Sequence, residues 1–149
     1  MILAVDIGNT NVTCGVYSGK KWVHTLRLPS TLDFWNQFST LKEFDITESA
    51  ISSVVPNLTQ VYIESIRNLF QIDAHIITCQ NSGVELLVDT PKDVGIDRIC
   101  NVIAAKEIVG TPAIVGDIGS ATNYDVVDEN AAFIVGCLLY QSYAFFYFF

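Results

Sequence analysis

The sequence is poor in basic side chains. Its 8 lysines and arginines are outnumbered by 16 aspartates and glutamates, which gives a formal net charge of −8. A chain of this charge repels a phosphate backbone, because binding to nucleic acid depends largely on contacts between basic side chains and phosphates. We therefore expect no nucleic-acid partner. A small phosphorylated ligand is still compatible with this charge, since backbone N–H groups and a metal ion can hold phosphate in an acidic protein.

Paired cysteines are also lacking. Cys14, Cys79, Cys100 and Cys137 form no CxxC motif and lie far apart in apolar surroundings, which favours reduced thiols in the core. No basic region precedes the first apolar strand, so the sequence predicts a cytoplasmic protein.

Charged residues are absent from residues 131–149, a segment long enough to be considered as a membrane span. Gly136, Gln141 and Ser142 interrupt this segment, and no basic residue flanks it. We therefore expect no membrane insertion. The first half continues a strand pattern, and residues 137–149 are interpreted as an anomalous apolar tail.

The rest of the chain alternates between the two-residue period of strands and the spacing of helices. Strands are predicted at residues 2–6, 11–17, 22–27, 49–56, 74–79, 111–119, 122–128 and 131–136. Helices are predicted at residues 29–44, 57–70 and 98–109. This order predicts an α/β fold with a mixed sheet.

Apolar spacing predicts which face of each helix lies in the core. In the first helix these residues are Leu32, Trp35, Phe38 and Leu41, with Ser30 or Thr31 as the N-cap. In the second they are Leu58, Val61, Tyr62, Ser65, Ile66 and Leu69. In the third they are Ile99, Val102, Ile103 and Ile108.

Two of the predicted strands end on similar short motifs. These are "DIGNTN", which begins at Asp6, and "DIGSATN", which begins at Asp117. A carboxylate at the end of a buried strand needs a cation or strong donors, because an unpaired charge is costly to bury. The glycine two positions later lets the backbone approach a ligand, and the small polar residues supply donors for phosphate. One copy alone is more typical of a hairpin turn. Two copies favour a nucleotide held between duplicated subdomains, with Asp6 directed at Mg²⁺.

Four ordered motifs, "DIGNTNV", "ISSVVP", "PKDVGIDRICNVIAA" and "DIGSATNYDVV", resemble those of type III pantothenate kinases, members of the actin, sugar kinase and Hsp70 superfamily. The resemblance implies an actin-like ATPase (ribonuclease H-like) fold. Residues 1–110 would form the N-terminal subdomain and residues 111–136 the start of a duplicated second one, the rest of which is missing. It also implies ATP-dependent phosphorylation of pantothenate to 4'-phosphopantothenate, the first step of coenzyme A biosynthesis. Mg²⁺, a monovalent cation (K⁺ or NH₄⁺) and a homodimer belong to this expectation.

The resemblance assigns roles by position. Asp97 would be the general base, Asp117 the monovalent-cation ligand, and Ser120 the counterpart of a threonine that touches ATP. The pantothenate site would comprise Gly95, Ile96, Asp97, Arg98 and Val88, the last standing where the family has a tyrosine. The first phosphate loop would comprise Asp6, Ile7, Gly8, Asn9, Thr10, Asn11, Val12 and Thr13.

Several interpretations remain open at this point. Taken alone, "GIDR" is more typical of a helix N-terminus at which Asp97 caps the helix or complements its dipole and Arg98 lies in solvent, whereas the other motifs together favour the site interpretation. Because the family's second half is missing, we expect impaired catalysis and self-association through exposed apolar surface. A non-catalytic nucleotide- or pantothenate-binding regulatory module and a decayed remnant are the alternative functions.

Overall fold

The computed structural model describes residues 1–118 and 121–140. The chain packs as two compact units, one formed by Met1–Asn81 and the other beginning at Ser82. These units are defined by packing, whereas the predicted boundary after residue 110 is defined by the sequence repeat. That boundary stays a prediction.

The first unit is built on a five-stranded sheet. Its strands are β1 (Ile2–Ile7), β2 (Asn11–Tyr17), β3 (Trp22–Pro29), β4 (Glu48–Ser53) and β5 (Ala74–Ile76). The strand order is β3-β2-β1-β4-β5, with β1 antiparallel to β2 and parallel to β4. The first three strands therefore form a meander, while the parallel pairs need crossover connections. The mixed sheet expected from the sequence is confirmed.

Helix α2 (Pro56–Phe70) provides the crossover from β4 to β5. Pro56 lies in its first turn, where a missing N–H costs nothing because that group has no partner within the helix. The helix ends at Gln71, whose φ of 57° is the left-handed conformation common at helix C-termini. Its buried residues are Leu58, Tyr62, Ser65 and Ile66, which confirms the centre of the predicted stripe.

The long helix predicted over residues 29–44 is wrong. Helix α1 is a single turn, Trp35–Phe38, followed by a 3₁₀ turn at Ser39–Glu43. Phe34 occupies the N-cap position and no side chain caps the helix, so Ser30 and Thr31 do not have the predicted role.

The apolar spacing explains this difference. A repeat of three residues matches the 3₁₀ geometry rather than the 3.6-residue turn of an α-helix. Phe38 and Leu41 are fully buried, whereas Leu32 is 70% exposed and Trp35 is 45% exposed. Half of the predicted stripe therefore lies outside the core.

An aromatic cluster lies at the centre of the first unit. Phe34 stacks on Tyr62 with ring centroids 4.3 Å apart, and Phe38 meets Tyr62 edge to face at 5.3 Å. Such ring pairs add to the stabilisation that apolar burial provides. The cluster packs with the inward-facing residues of the sheet, Leu3, Val5, Ile7, Val12, Cys14, Val16, Leu28 and Ile51.

The second unit contains one longer helix and an antiparallel sheet. These are α3 (Ile96–Ile108) and the strands β6 (Ala113–Ile118), β7 (Ala121–Val127) and β8 (Phe133–Tyr140), in the order β6-β7-β8. Helix α3 packs against β6 and β7. The three consecutive antiparallel strands repeat the meander of β1 to β3, as the duplicated motif predicts.

Helix α3 begins two residues earlier than predicted, which places Asp97 and Arg98 in its first turn. Ile99 and Val102 are buried as expected. Ile108 is the last helical residue and is 80% exposed, so the prediction that it lies in the core is wrong.

No helix in the described part of the chain is long and apolar enough to cross a membrane. Much of the predicted apolar tail, residues 141–149, lies outside the described residues. The part that is described continues strand β8.

Candidate functional site

The turn between β1 and β2 carries the first predicted phosphate loop. The Gly8 N–H donates to the Asn11 carbonyl at 3.0 Å and closes the turn. A Cβ at Gly8 would lie only 3.1 Å from that carbonyl oxygen, so glycine suits the close approach. Asp6 stands opposite Thr13 at the end of the strand pair, and the Asn9 and Thr10 side chains are exposed. The turn therefore presents polar side chains and backbone to solvent.

Ser30 fastens this turn from the end of β3. Its hydroxyl donates to the Gly8 carbonyl at 2.5 Å, and its N–H donates to the Thr10 carbonyl at 3.1 Å. The pairing of Asn11 with Pro29 brings Ser30 beside the turn. The sequence prediction missed this role because the contact joins residues that are distant along the chain. The only signal was a serine directly after a strand.

Polar side chains converge near the end of β6 in the second unit. Asp117 pairs with Asn123 across β6 and β7, and the Asn101 Nδ2 of α3 donates to Asp117 Oδ2 at 3.3 Å. The Asn123 Oδ1 atom is buried and has no hydrogen-bond partner within the described residues. Carboxylate and amide oxygens are the ligands that hard cations prefer. Asp117 and Asn123 supply such oxygens, whereas Asn101 presents an N–H donor to Asp117. Ser120, in the next turn, lies outside the described residues.

Asp97 is held at the start of α3. Gly95 is the N-cap and Ile96 the first helical residue, and both are half-buried. The Asp97 Oδ1 atom accepts the Arg98 N–H at 2.9 Å. An acidic residue in the first turn is favourable because it complements the helix dipole. This part of the helix-terminus interpretation is confirmed, and the catalytic role of Asp97 stays a prediction.

Arg98 does not lie in solvent, so the other part of that interpretation is wrong. Its Nε donates to Asp125 Oδ1 at 2.9 Å, and its Nη2 contacts the same oxygen. The side chain of Asp125 is fully buried and that of Arg98 is 17% exposed. The Arg98 Cζ lies 5.4 Å from the centre of the Phe133 ring, within the range of a cation–π contact. The role of Asp125 was missed in the sequence, because nothing local links it to Arg98.

Val88 lies in a segment that runs beside β8. The Leu87 N–H donates to the Phe133 carbonyl at 2.8 Å, and the Phe133 N–H donates to the Glu85 carbonyl at 2.8 Å. Val88 follows directly and is half-buried. Its segment is therefore fixed to the residue whose ring contacts Arg98.

The predicted site residues thus fall into two groups. The loop from Asp6 to Thr13 belongs to the first unit, whereas Val88, Gly95 to Arg98 and Asp117 belong to the second. The expectation that both groups face one cleft stays a prediction. Within the described residues, no group of three or more His, Cys, Asp or Glu side chains forms a metal site.

The mixed sheet and the repeated meander define the class of protein. A structure from Sinorhizobium meliloti, whose name proposes a 2-dehydro-3-deoxygalactonokinase, matches with a TM-score of 0.61 and 11% identity over 93% of this chain and 53% of that chain. The activator of 2-hydroxyisocaproyl-CoA dehydratase from Clostridium difficile, solved with ADPNP, matches with a TM-score of 0.51 and 13% identity. The match covers 94% of this chain and 46% of that chain. These likenesses show the actin-like ATPase fold.

Sequence comparison identifies the family. The family model of type III pantothenate kinase matches residues 2–139, and the chain belongs to this family. A type III pantothenate kinase from Thermomicrobium roseum is 37% identical over 150 aligned positions, which cover 93% of this chain and 58% of the relative. The chain thus spans rather less than two thirds of the length of this curated relative.

Proposed function

We propose that the chain functions as a type III pantothenate kinase. It would transfer the γ-phosphoryl group of ATP to the primary hydroxyl of pantothenate and form 4'-phosphopantothenate, at the start of coenzyme A biosynthesis. Membership of the family over residues 2–139 is the observation that carries this proposal. A homodimer and a cytoplasmic location form part of it.

The proposed general base is Asp97. Because its Oδ1 is held by the Arg98 N–H, the carboxylate has a fixed orientation, and Oδ2 is the oxygen proposed to accept the hydroxyl proton. Phosphoryl transfer depends mainly on positioning and on charge neutralisation, so a fixed base suits it. Gly95, Ile96 and Arg98 would contact pantothenate, with Val88 at the edge of the same site.

The loop from Asp6 to Thr13 is the proposed site for the ATP phosphates, with Ser120 as a further contact. Its closed turn and exposed polar groups support this role. Asp6 is proposed to hold Mg²⁺ together with phosphate oxygens and water, as this ion commonly binds in phosphoryl-transfer sites. When bound, Mg²⁺ would neutralise phosphate charge.

Asp117 is the proposed ligand of the monovalent cation, K⁺ or NH₄⁺. The buried Asn123 Oδ1, which has no hydrogen-bond partner in the described part of the chain, supports this assignment, because amide and carboxylate oxygens are the ligands that hard cations prefer. The residues would hold the cation beside the second phosphate turn.

An assay of ADP release with pantothenate, ATP, Mg²⁺ and K⁺ tests the function, with the Thermomicrobium roseum kinase as a positive control. We expect Asp97→Asn to lower turnover by about a hundredfold or more, because the proton acceptor is lost. ATP affinity, measured by calorimetry, should stay unchanged. Asp93→Asn is the matched control, since Asp93 is an exposed carboxylate in the preceding 3₁₀ turn.

The possible outcomes separate the candidate functions. Equal turnover in wild type and Asp97→Asn would contradict the role of Asp97. Binding of ATP and pantothenate without any turnover would instead favour the regulatory binding module. A chain that binds neither ATP nor pantothenate would contradict the proposed function as a whole.

A further inference from the structure

We propose that Asp125 and Gly136 are positioning residues that fix the Arg98 guanidinium for recognition of the pantothenate carboxylate. This inference rests on the proposed function, because it takes pantothenate as the ligand. It concerns two residues that the sequence motifs left without a role. Neither is proposed to touch the substrate, and both would act through Arg98.

The first argument is the geometry of the anchor. Asp125 on β7 and Gly136 on β8 are direct cross-strand partners. Asp125 supplies the oxygen that accepts from Arg98, and a Cβ at Gly136 would overlap the guanidinium. The guanidinium therefore occupies the space that a side chain at position 136 would fill. Phe133, three residues earlier on β8, contacts the same group through its ring.

The second argument is the choice of the guanidinium edge that meets Asp125. Nε and Nη2 both contact Oδ1, whereas Asp125 Oδ2 is buried without a hydrogen-bond partner in the described part of the chain. Arginine–carboxylate pairs are frequently bidentate, with one contact to each oxygen, whereas here both contacts share Oδ1. In either arrangement the Nε–Nη2 edge of the guanidinium is the edge that meets Asp125. Because Nη1 projects from Cζ on the side opposite to this edge, it is the group proposed to meet the substrate carboxylate.

The third argument links the anchor to the proposed base. The backbone N–H of Arg98 holds Asp97 Oδ1, and its side chain is tied to Asp125. Movement of Arg98 would therefore disturb both the carboxylate-binding group and the neighbouring Asp97. Through the ion pair of Arg98 with Asp125, for which Gly136 leaves space, both Arg98 and Asp97 are held in place.

The experiment uses Asp125→Asn and Gly136→Ala in the 149-residue chain. The first variant weakens the anchor, and the second pushes the guanidinium aside without removing a charge. Gly116→Ala is the matched control, because a Cβ at this position in the same sheet would lie 3.5 Å from the Tyr124 ring, an ordinary contact. The Arg98→Lys variant lacks the guanidinium Nε–H. The signal that is missing from its nitrogen-proton NMR spectrum is therefore assigned to Arg98.

Wild type and Gly116→Ala should show a dispersed Arg98 Nε–H signal that shifts further on titration with pantothenate. In Asp125→Asn and Gly136→Ala, this signal should move to the position typical of solvated arginines. The dissociation constant for pantothenate should rise at least about tenfold, or about 1.4 kcal/mol, with ATP affinity unchanged. A purely structural role would lower the melting temperature and leave the pantothenate affinity of the folded protein as it was.

An unchanged Arg98 signal, or unchanged pantothenate affinity, in either folded variant would overturn the inference. If Asp125→Asn does not fold, the result with Gly136→Ala decides the question, because this variant keeps both Arg98 and Asp125. Wild type that binds ATP and no pantothenate would contradict the proposed substrate itself, and that outcome differs from a failure confined to the variants.

Discussion

At the scale of single residues, Cys14 shows how the sheet controls side-chain chemistry. It lies on the core side of β2 and is fully buried, and burial raises the pKa of its thiol from 9.0 to about 12. Burial and the neighbouring Cys14 also raise the pKa of Tyr62. Cys137 is exposed on β8, so the prediction of a core thiol is wrong at that position. The two residues should differ in both reactivity and effect on stability.

We predict that the chain loses stability above about pH 9 because of Cys14. The folded state keeps the thiol proton up to about pH 12, whereas the unfolded state releases it above 9.0. The unfolded state therefore binds fewer protons in this window, and the free energy of unfolding falls as the pH rises. The slope should be about 1.4 kcal/mol per pH unit for this group. Urea unfolding between pH 8 and pH 10 measures it, because Tyr62 adds a slope of the same sign above its ordinary pKa of 10.0.

Cys14→Ala should flatten this dependence, although it lowers stability at every pH by removing buried volume. Cys137→Ala is the matched control and should leave the slope as in wild type. Thiol reagents at pH 8 should modify Cys137 in the native protein and reach Cys14 only on unfolding. Rapid labelling of native Cys14 would show that the thiol is accessible.

At the scale of elements, the turn between β1 and β2 depends on β3 as well as on its own residues. Ser30 donates to carbonyls on both sides of the turn, at Gly8 and at Thr10. Glycine at position 8 permits the tight geometry, and the two hydrogen bonds from Ser30 stabilise it. The turn is therefore ordered before any ligand arrives, which lowers the cost of binding.

We predict that Ser30→Ala loosens this turn and weakens ATP·Mg²⁺ binding. The Gly8 carbonyl loses its side-chain donor, at a cost of about 1 kcal/mol. Amide exchange at Gly8, whose N–H closes the turn, should become faster. Nuclear magnetic resonance measures the exchange, and calorimetry measures the nucleotide affinity.

Two variants control for this substitution. Ser30→Thr keeps the hydroxyl and should behave like wild type, whereas Ser39→Ala removes an exposed hydroxyl that donates to Asn36 elsewhere in the unit. If Gly8 exchanges equally fast in Ser30→Ala and wild type, the hydroxyl does not hold the turn.

At the scale of the whole molecule, local patterns predicted the elements and missed the contacts between them. Apolar patterns predicted each of the eight strands in the described part of the chain, although β4 and β5 end earlier than expected. The site roles of Asp97 and Asp117 stay predictions. The segment at residues 29–44 failed because its three-residue spacing was taken for an α-helical stripe. Ser30 and Asp125 were missed because their partners, Gly8 and Arg98, are set by strand pairing rather than by local sequence. Long-range polar contacts leave no periodic pattern.

The two units differ in how well each buries its own apolar side chains. The first joins a five-stranded sheet, α2 and an aromatic cluster around Tyr62 into one continuous core. The second has a three-stranded sheet, on which Ile114, Ile118 and Val135 are 73%, 77% and 53% exposed. Since apolar burial provides most of the stabilisation of a fold, we expect the first unit to be the more stable.

We predict that the chain unfolds in two steps, with the second unit first. Both tryptophans, Trp22 and Trp35, belong to the first unit, so tryptophan fluorescence reports that unit alone while far-ultraviolet circular dichroism reports both. The fluorescence midpoint in urea should lie above the first circular-dichroism midpoint. Ile51→Ala and Ile99→Ala each remove a fully buried isoleucine, from the first and the second unit respectively. Each should destabilise its own step by about 2–5 kcal/mol and leave the other unchanged. Coincident transitions that both substitutions shift together would instead mean that the chain unfolds as one cooperative body.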